Sequence, residues 1–492
     1  MGTRDRGMII SSALMALFLG ALDALVMSAA MPTIIAELGG LSLYAWVYSA
    51  YFLARAVSLP VFGKLSDLFP AKQLMLVSMF LFVAASAAAG ASPSMGFLVG
   101  ARVFQGIGAG GIFALVYLVL SDVTLPGQRG KTLSLASSVW GLSSVIGPTL
   151  GGFIVSYFSW RWIFFINLPL GLVSFLGIFI FFKEFREKPC HPSLDWAGIT
   201  CFSGAVLGGL TLVMTGGQQI PWTSATGLAL AGATLVLALG FVLAEQRARD
   251  PFLDFRFFKY PGFALGNIMA FGASFSMFSL FAYAPLFLQV ALGQTPMVVG
   301  YAMLCLSLGW SAGSLVLGRV VHERSAKNAA IVGSLLMVDG TCPGIWFTMD
   351  TRLGYCFALF TVTGLGMGCI ILSTLLIVQD SVGKKDLGLV TSFHQFAKTL
   401  GGNVGVGVCG GLVNSRLFAA LDAEAGGVAP HMVEKLQKSM PHLFQPEFQA
   451  QMPGVFLDLL QSALLEGVGA VFAVVAGVSI LGIGLGFFLP GK

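Results

Sequence analysis

Asp23, Arg55, Arg102, Asp339, His394 and Lys398 all stand in stretches of chain that are otherwise apolar. A charged side chain in such a setting must be paired, solvated or neutralised, and in membrane proteins it marks ion and substrate paths. Asp23 can take up and release a proton, as a proton-coupled carrier requires; the alternative is a structural hydrogen bond to a neighbouring helix. Arg102 needs an acid or a set of carbonyls, either beside a proton path or as a fixed tether between helices. Arg55 and Lys398 are cations within apolar stretches, and Asp339 stands at a depth where it could neutralise either one. His394 precedes Lys398 by one turn on the same helical face. With Asp339 engaged, a site holding Arg55 stays nearly neutral and accepts cationic compounds; otherwise Arg55 is free for an anionic headgroup.

These residues need a wall around them. Phe271, Phe275, Phe278 and Phe281 with Met277, followed by Tyr283, Pro285 and Gln289, offer an adaptable apolar surface. It lines a cavity or simply faces lipid. The candidate cavity residues are Arg55, Gln105, Phe275, Phe278, Tyr283, Gln289, Asp339, His394 and Lys398.

The composition says what kind of molecule holds them. Of 492 residues, 56% are hydrophobic and only 10% charged, against about 25% charged in soluble domains. With a mean hydropathy of +0.87, this excludes a soluble enzyme, a nucleic-acid module and a disordered chain. The seven Cys form no CxxC pair, so neither a disulfide framework nor a zinc site is indicated. His191 beside Cys190 is the one hint of metal, and no metal site is expected. The 63 Gly suit helices that pack closely in lipid.

A membrane span needs about 20 apolar residues. Fourteen stretches qualify: 8–30, 43–62, 73–91, 95–120, 132–157, 162–182, 196–216, 223–244, 262–290, 297–318, 328–348, 354–378, 388–413 and 458–489. The first is too long for a signal peptide and has no small-residue cleavage site, so it is expected to stay in the membrane. Lys and Arg crowd alternate loops, among them Arg4, Arg6, Lys64, Lys72, Arg129, Lys131, Lys183, Lys384 and Lys385. The opposite loops hold only Arg161, Arg352, Arg416, Lys435 and Lys438. The basic loops are therefore cytoplasmic, and so are both termini. The polar loop 414–457 is expected on the outer side, with short helical stretches at 430–440 and 446–451; the alternative is a mobile loop.

The chain repeats itself. Gly63-Lys64-Leu65-Ser66-Asp67 with Lys72 returns as Gly318-Arg319-Val320-Val321-His322 with Lys327, 255 residues on. Asp122, Gly130 and Gly147 return as Asp380, Gly388 and Gly405, 258 residues on. Two six-helix units separated by an extra pair of helices produce such offsets, and repeated halves with a site between them mark transporters. Gly147, Pro148, Gly151 and Gly152 put small residues on one helical face and allow a bend, for either a packed interface or a gating hinge. Gly106 to Gly111 fits GxGxxG but sits inside an apolar stretch, so close helix packing explains it and a dinucleotide does not. GxxxxGK[ST] and HExxH are absent from the sequence, which leaves no ATP hydrolysis of its own.

In these residues the chain resembles the major facilitator superfamily, and within it the fourteen-helix drug:proton antiporters. Leu22-Asp23 with Met31-Pro32-Thr33-Ile34 resembles the first-helix motif. Gly63 to Asp67 is similar to the loop between helices two and three, and Arg102-Val103-Phe104-Gln105-Gly106-Ile107-Gly108 to the fourth-helix motif. Gly147-Pro148-Thr149-Leu150-Gly151-Gly152 resembles the antiporter motif of helix five. Trp160-Arg161-Trp162-Ile163-Phe164 through Asn167-Leu168-Pro169 and Gly171 resembles the fourteen-helix branch in particular. Leu68-Phe69-Pro70-Ala71 lacks the usual basic and glycine residues of the loop motif, and His322 replaces the acid in the second copy.

The resemblance implies an all-α integral membrane protein of two six-helix halves, 1–188 and 260–492, joined by a two-helix insert at 189–259. It implies a non-enzymatic, proton-coupled exporter of hydrophobic or amphiphilic compounds in the plasma (inner) membrane, driven by the proton gradient without a cofactor. Asp23 and Arg102 would couple the proton, and Gly63, Asp67 and Lys72 would form a conformational latch. Its partners would be protons, membrane lipids and a small amphiphilic or lipid-like substrate, and no nucleic acid; the oligomeric state is left open. Two alternatives stand beside it: an exporter of lipids or lipophilic anions, and a membrane-embedded enzyme or receptor on the same scaffold.

Overall fold

The structure is a computed structural model, and it describes residues 3–39, 43–125, 127–184, 194–215, 223–248, 250–320, 326–424 and 454–490. Among these residues the regular structure is helical, without strands. Long apolar segments become helices because lipid offers no partner to the backbone, so every N–H and C=O must be satisfied within the segment. In chain order they are α1 (Thr3–Leu38), α2 (Tyr44–Leu68), α3 (Ala71–Gly90), α4 (Met95–Val123), α5 (Arg129–Tyr157), the short α6 (Trp162–Phe165) and α7 (Asn167–Phe181). Then come α8 (Trp196–Thr215), α9 (Ala225–Arg247), α10 (Pro261–Leu286), α11 (Pro296–Val320), α12 (Ala326–Thr341), α13 (Leu353–Asp380), α14 (Leu387–Glu424) and α15 (Gly454–Phe488).

Local chemistry sets several boundaries. Ser94 and Ser224 cap α4 and α9, their hydroxyls accepting from the amides of Phe97 and Gly227. Gly39, at φ +68°, closes α1 in the left-handed region that a side chain would resist. At that end Glu37 accepts from Trp160 Nε1 at 2.7 Å and from Arg161 at 2.9 Å, which fastens α1 to the segment entering α6. Those donors, Trp160 first, hold the Glu37 carboxyl below the usual carboxylate range.

Twelve helical segments among the described residues are long and apolar enough to cross a membrane, with α6 and α7 counted together. α2 and α14, 25 and 38 residues long, are not among them. α2 carries Arg55, Lys64 and Asp67, and α14 carries His394, Gln395, Lys398 and Arg416. Residues 414–424, expected in the outer loop, instead extend α14, and α15 begins at Gly454 rather than 458. The expected helical stretches 430–440 and 446–451 lie outside the described residues, as do Cys190, His191 and His322.

α1 packs on α4, α5 and α7, while α3 packs on α4 and α7. α10 packs on α13, α14 and α15, and α12 on α13 and α15. Two seams join these groups, α2 against α14 and α5 against α11. α8 pairs with α9 and also lies against α2 and α14.

Glycines set how closely these helices approach. A Cβ on Gly106 would come within 2.5 Å of the Tyr51 carbonyl oxygen, and one on Gly108 within 2.6 Å of the Phe82 amide nitrogen. The GxGxxG stretch is thus the face of α4 that carries α2 and α3. Its repeat on α13 behaves alike: a Cβ on Gly364 would strike the Leu306 carbonyl, and one on Gly366 the Gly333 carbonyl.

Candidate functional site: a buried ion pair and an aromatic–cationic junction

Asp23 is fully buried on α1, and four other helices converge on it. Arg102 Nη1 from α4 lies 2.6 Å from Asp23 Oδ2, and the Gln105 side-chain amide donates to Oδ1 at 2.8 Å. Asn167, at the start of α7, donates to the same oxygen at 3.1 Å. Ser86 of α3 accepts from Gln105 and Asn167 at 2.7 and 3.2 Å. The guanidinium also donates to Gln105 Oε1 and to the Val47 carbonyl of α2, and lies 4.1 Å from the Tyr51 ring centre. A buried ion pair survives only when further hydrogen bonds offset the loss of water, and here both Asp23 oxygens and the guanidinium have them. Gln105, expected to line the substrate cavity, is placed in this cluster. The sequence reading had no role for Ser86, an unremarkable hydroxyl in an apolar helix. Asn167 stood in a motif without a task.

A second constellation lies where α2, α4, α5, α11 and α14 meet. Arg55 is 7% exposed and Lys398 5% exposed. Arg55 spreads over the rings of Phe52 and Phe113, 4.8 and 5.0 Å from their centres. Lys398 Nζ stands 5.7 to 5.8 Å from the rings of Tyr117, Trp140 and Trp310. Trp140 and Trp310 stack 6.0 Å apart, and Phe113 meets Trp140 at 5.5 Å, so one run of rings joins the two cations. Arg55 Nε and Nη1, Lys398 Nζ, Trp140 Nε1 and Trp310 Nε1 are buried with no hydrogen-bond partner in the protein. The expected partner, Asp339, is exposed on α12 and bonds to neither cation. The helix that carries it packs on α13 and α15, apart from the junction. His394 Nε2 lies 2.9 Å from Thr374 Oγ1, which ties α14 to α13.

Several of the remaining candidates hold helices together. Phe275 and Phe278 pack on Gly405 and Gly402 of α14, and the Tyr283 hydroxyl donates to the Val406 carbonyl at 2.7 Å. Gln289 is half-buried in the wide turn Phe287–Ala291 that follows Pro285. A Cβ on Gly147 would meet Leu25 at 2.8 Å, so this glycine lets α5 approach α1 beside Asp23. Gly151 is buried, and the space beside Gly152 is open within 4 Å. The side chain of Pro148 is outside the described residues, and α5 runs unbroken through it.

At the basic end of the bundle, Asp67 accepts from the amides of Gly388 and Leu389 at 2.9 and 2.8 Å, capping α14 from α2. Gly63 packs on Ser392 and Gly388. Lys72 is apart from this contact; it donates to the Phe179 carbonyl and joins α3 to α7. Gly318 packs on Gly130 and Ser134, and Arg129 lies 3.7 Å from Asp380. The two glycine contacts are copies of one another, because the offsets of the repeat carry Gly63, Gly388 and Ser392 onto Gly318, Gly130 and Ser134. Ser121 and Gln379, themselves 258 residues apart, hydrogen-bond to each other.

The family model of the Major Facilitator Superfamily matches residues 13–406. The chain belongs to the major facilitator superfamily. Among its superfamily relatives, Multidrug transporter protein MdtP of Bacillus subtilis is 30% identical over 98% of this chain and 92% of that protein. Multidrug resistance protein 3 of the same organism is 27% identical over 97% of this chain and 94% of its own length. Efflux pump dotC of Dothistroma septosporum is 31% identical over 78% and 68%. The crystal structure of the human organic anion transporter MFSD10 (TETRAN) superposes with a TM-score of 0.68 at 15% identity, over 99% of this chain and 100% of that one, a likeness of fold. As a superfamily member the chain is a membrane transporter and not an enzyme.

Proposed function

We propose that the protein is a proton-coupled exporter of hydrophobic or amphiphilic compounds, of the fourteen-helix drug:proton antiporter branch. The observation that carries the coupling is the fully buried Asp23 carboxylate, held by Arg102, Gln105 and Asn167 from two other helices. A proton arriving on Asp23 cancels its attraction for Arg102 and frees α1 to move against α4. Export is supported by the relatives, which are named multidrug transporter and efflux pump.

In this reading α2 and α14 also cross the membrane, which makes fourteen spans. Their polar residues face protein rather than lipid, as the burial of Arg55 and Lys398 suggests. The basic end of the bundle is cytoplasmic, with both termini on that side of the plasma (inner) membrane. Residues 1–188 and 260–492 are the two rocking halves and 189–259 the insert; the paired glycine contacts support this division. Asp67 and Gly63 then form a cytoplasmic latch, closed in this conformation. The partners are protons, membrane lipids and a small amphiphilic substrate.

The test is Asp23→Asn in proteoliposomes. The amide keeps the size and cannot exchange a proton, so substrate-driven proton movement should vanish while insertion and folding persist. Uphill transport at the wild-type rate across a pH gradient would remove Asp23 from the coupling step.

A further inference from the structure

The repeat explains what the aromatic–cationic junction is. A Cβ on Gly110 would meet the Arg55 carbonyl, and one on Gly368, 258 residues on, would meet the Trp310 carbonyl. Arg55 and Trp310 are themselves 255 residues apart, and Trp140 and Lys398 are 258 apart. The four residues therefore occupy two pairs of equivalent positions around the axis of the repeat. They are not filled alike. Both cations stand on the α2–α14 side and both tryptophans on the α5–α11 side, so the junction has a cationic wall and an aromatic wall.

Five buried N–H donor atoms, Arg55 Nε and Nη1, Lys398 Nζ, Trp140 Nε1 and Trp310 Nε1, lack a protein acceptor here. Buried polar groups are almost always paired, and a cation left unpaired costs more than any neutral group. Ring faces attract cations and offset part of that loss, but they accept none of these hydrogen bonds well. Arg55 and Lys398 are also close enough to repel each other. What the junction lacks is negative charge: the Tyr51 hydroxyl meets part of the Arg55 guanidinium, but among the described residues no carboxylate forms an ion pair with Arg55 or Lys398. Asp23 cannot supply it, being committed to Arg102, and Asp339 stands apart on α12.

We propose that this junction binds the headgroup of an amphiphilic anion, a carboxylate, sulfonate or phosphate, between Arg55 and Lys398, with the apolar body against Trp140 and Trp310. This deepens the exporter reading and rests on it. The anion would take over the contacts that the rings of Phe113, Tyr117, Trp140 and Trp310 now make with the two cations. A lipophilic cation would meet repulsion at the same place.

The test needs no proton gradient, so its failure leaves the coupling role of Asp23 untouched, and failure of that role leaves it readable. The full-length protein in phosphatidylcholine nanodiscs is titrated with a dansyl-undecanoate and with the same molecule ending in trimethylammonium, following energy transfer from tryptophan. The anion should bind about tenfold or more tightly than its cationic twin, and Arg55→Gln and Lys398→Gln should each weaken the anion by about tenfold or more without weakening the cation. Arg55→Lys and Lys398→Arg should keep most of the affinity, which separates charge from packing. If a Gln variant does not fold, competition on the wild type by unlabelled decanoate against decyltrimethylammonium gives the same reading. Equal affinity for the twins, or equal losses of both in the Gln variants, would overturn the proposal. A parallel series with phosphatidylglycerol in the nanodisc distinguishes the source: displacement of the probe that depends on Arg55 identifies a lipid headgroup, and undisturbed binding a free anion.

Discussion

Asp23 and Arg102 illustrate why a buried ion pair must be judged by what surrounds it. Removing one partner leaves the other charge uncompensated in a dry setting, which typically costs about 3–5 kcal/mol. Arg102→Ala should therefore unfold at a lower temperature than Arg102→Lys, which keeps the charge, and should transport less. The double variant Asp23→Asn with Arg102→Ala should unfold at a higher temperature than Arg102→Ala alone, because the stranded carboxylate is gone. Thermal unfolding in detergent measures both; equal melting of the single and double variants would mean that the two side chains do not share one energy. Sequence spacing could locate Asp23, Arg102, Arg55 and Lys398, because a charge within apolar chain is conspicuous. It could not pair them. Asp339 and Asp23 look alike in sequence, yet one is exposed on α12 and the other is held by three donors.

Between helices, glycine decides. Apolar length and polar loops were enough to place the helices, and the offsets of 255 and 258 were enough to predict a repeat. Which glycines touch what was illegible, since Gly147 and Gly152 belong to one motif but have Leu25 beside one and open space beside the other. Gly318 and Gly300 allow a controlled comparison on one helix. A Cβ at Gly318 would meet the Gly130 carbonyl at 2.6 Å, whereas nothing lies within 4 Å of one at Gly300. Gly318→Val should destabilise the protein by roughly 1–3 kcal/mol, and Gly300→Val by much less. Thermal unfolding of the two variants side by side measures the difference; matching losses would mean that the α5–α11 contact is loose.

The whole molecule is a duplicate that has been used unequally. The offset carries Arg102 to Phe360 and Gln105 to Thr363, so the buried charge cluster exists once. The acid of the Asp67 cap is also unmatched in sequence, since its counterpart position holds His322. If Asp67 latches the cytoplasmic end, Asp67→Ala removes two charge-assisted hydrogen bonds, worth about 1.5–3 kcal/mol each at most. The population open at that end should rise roughly tenfold or more. A cysteine placed at the buried Ser66 should then react faster with a membrane-impermeant maleimide from the cytoplasmic side, and an unchanged rate would show that the latch lies elsewhere. One asymmetry remains. α8 covers the α2–α14 seam: Leu210 is buried with Leu53 and Ala56, Val213 fills the space beside Gly407, and Lys64 donates to the Pro251 carbonyl just beyond α9. Among the described residues no helix pair lies over the α5–α11 seam in that way. The molecule thus has a spine and a fore-edge, and a book opens at its fore-edge. If the apolar tail of the proposed anion leaves sideways between the halves, the seam left uncovered among the described residues, with Trp140 and Trp310 on its helices, is the side on which it would do so.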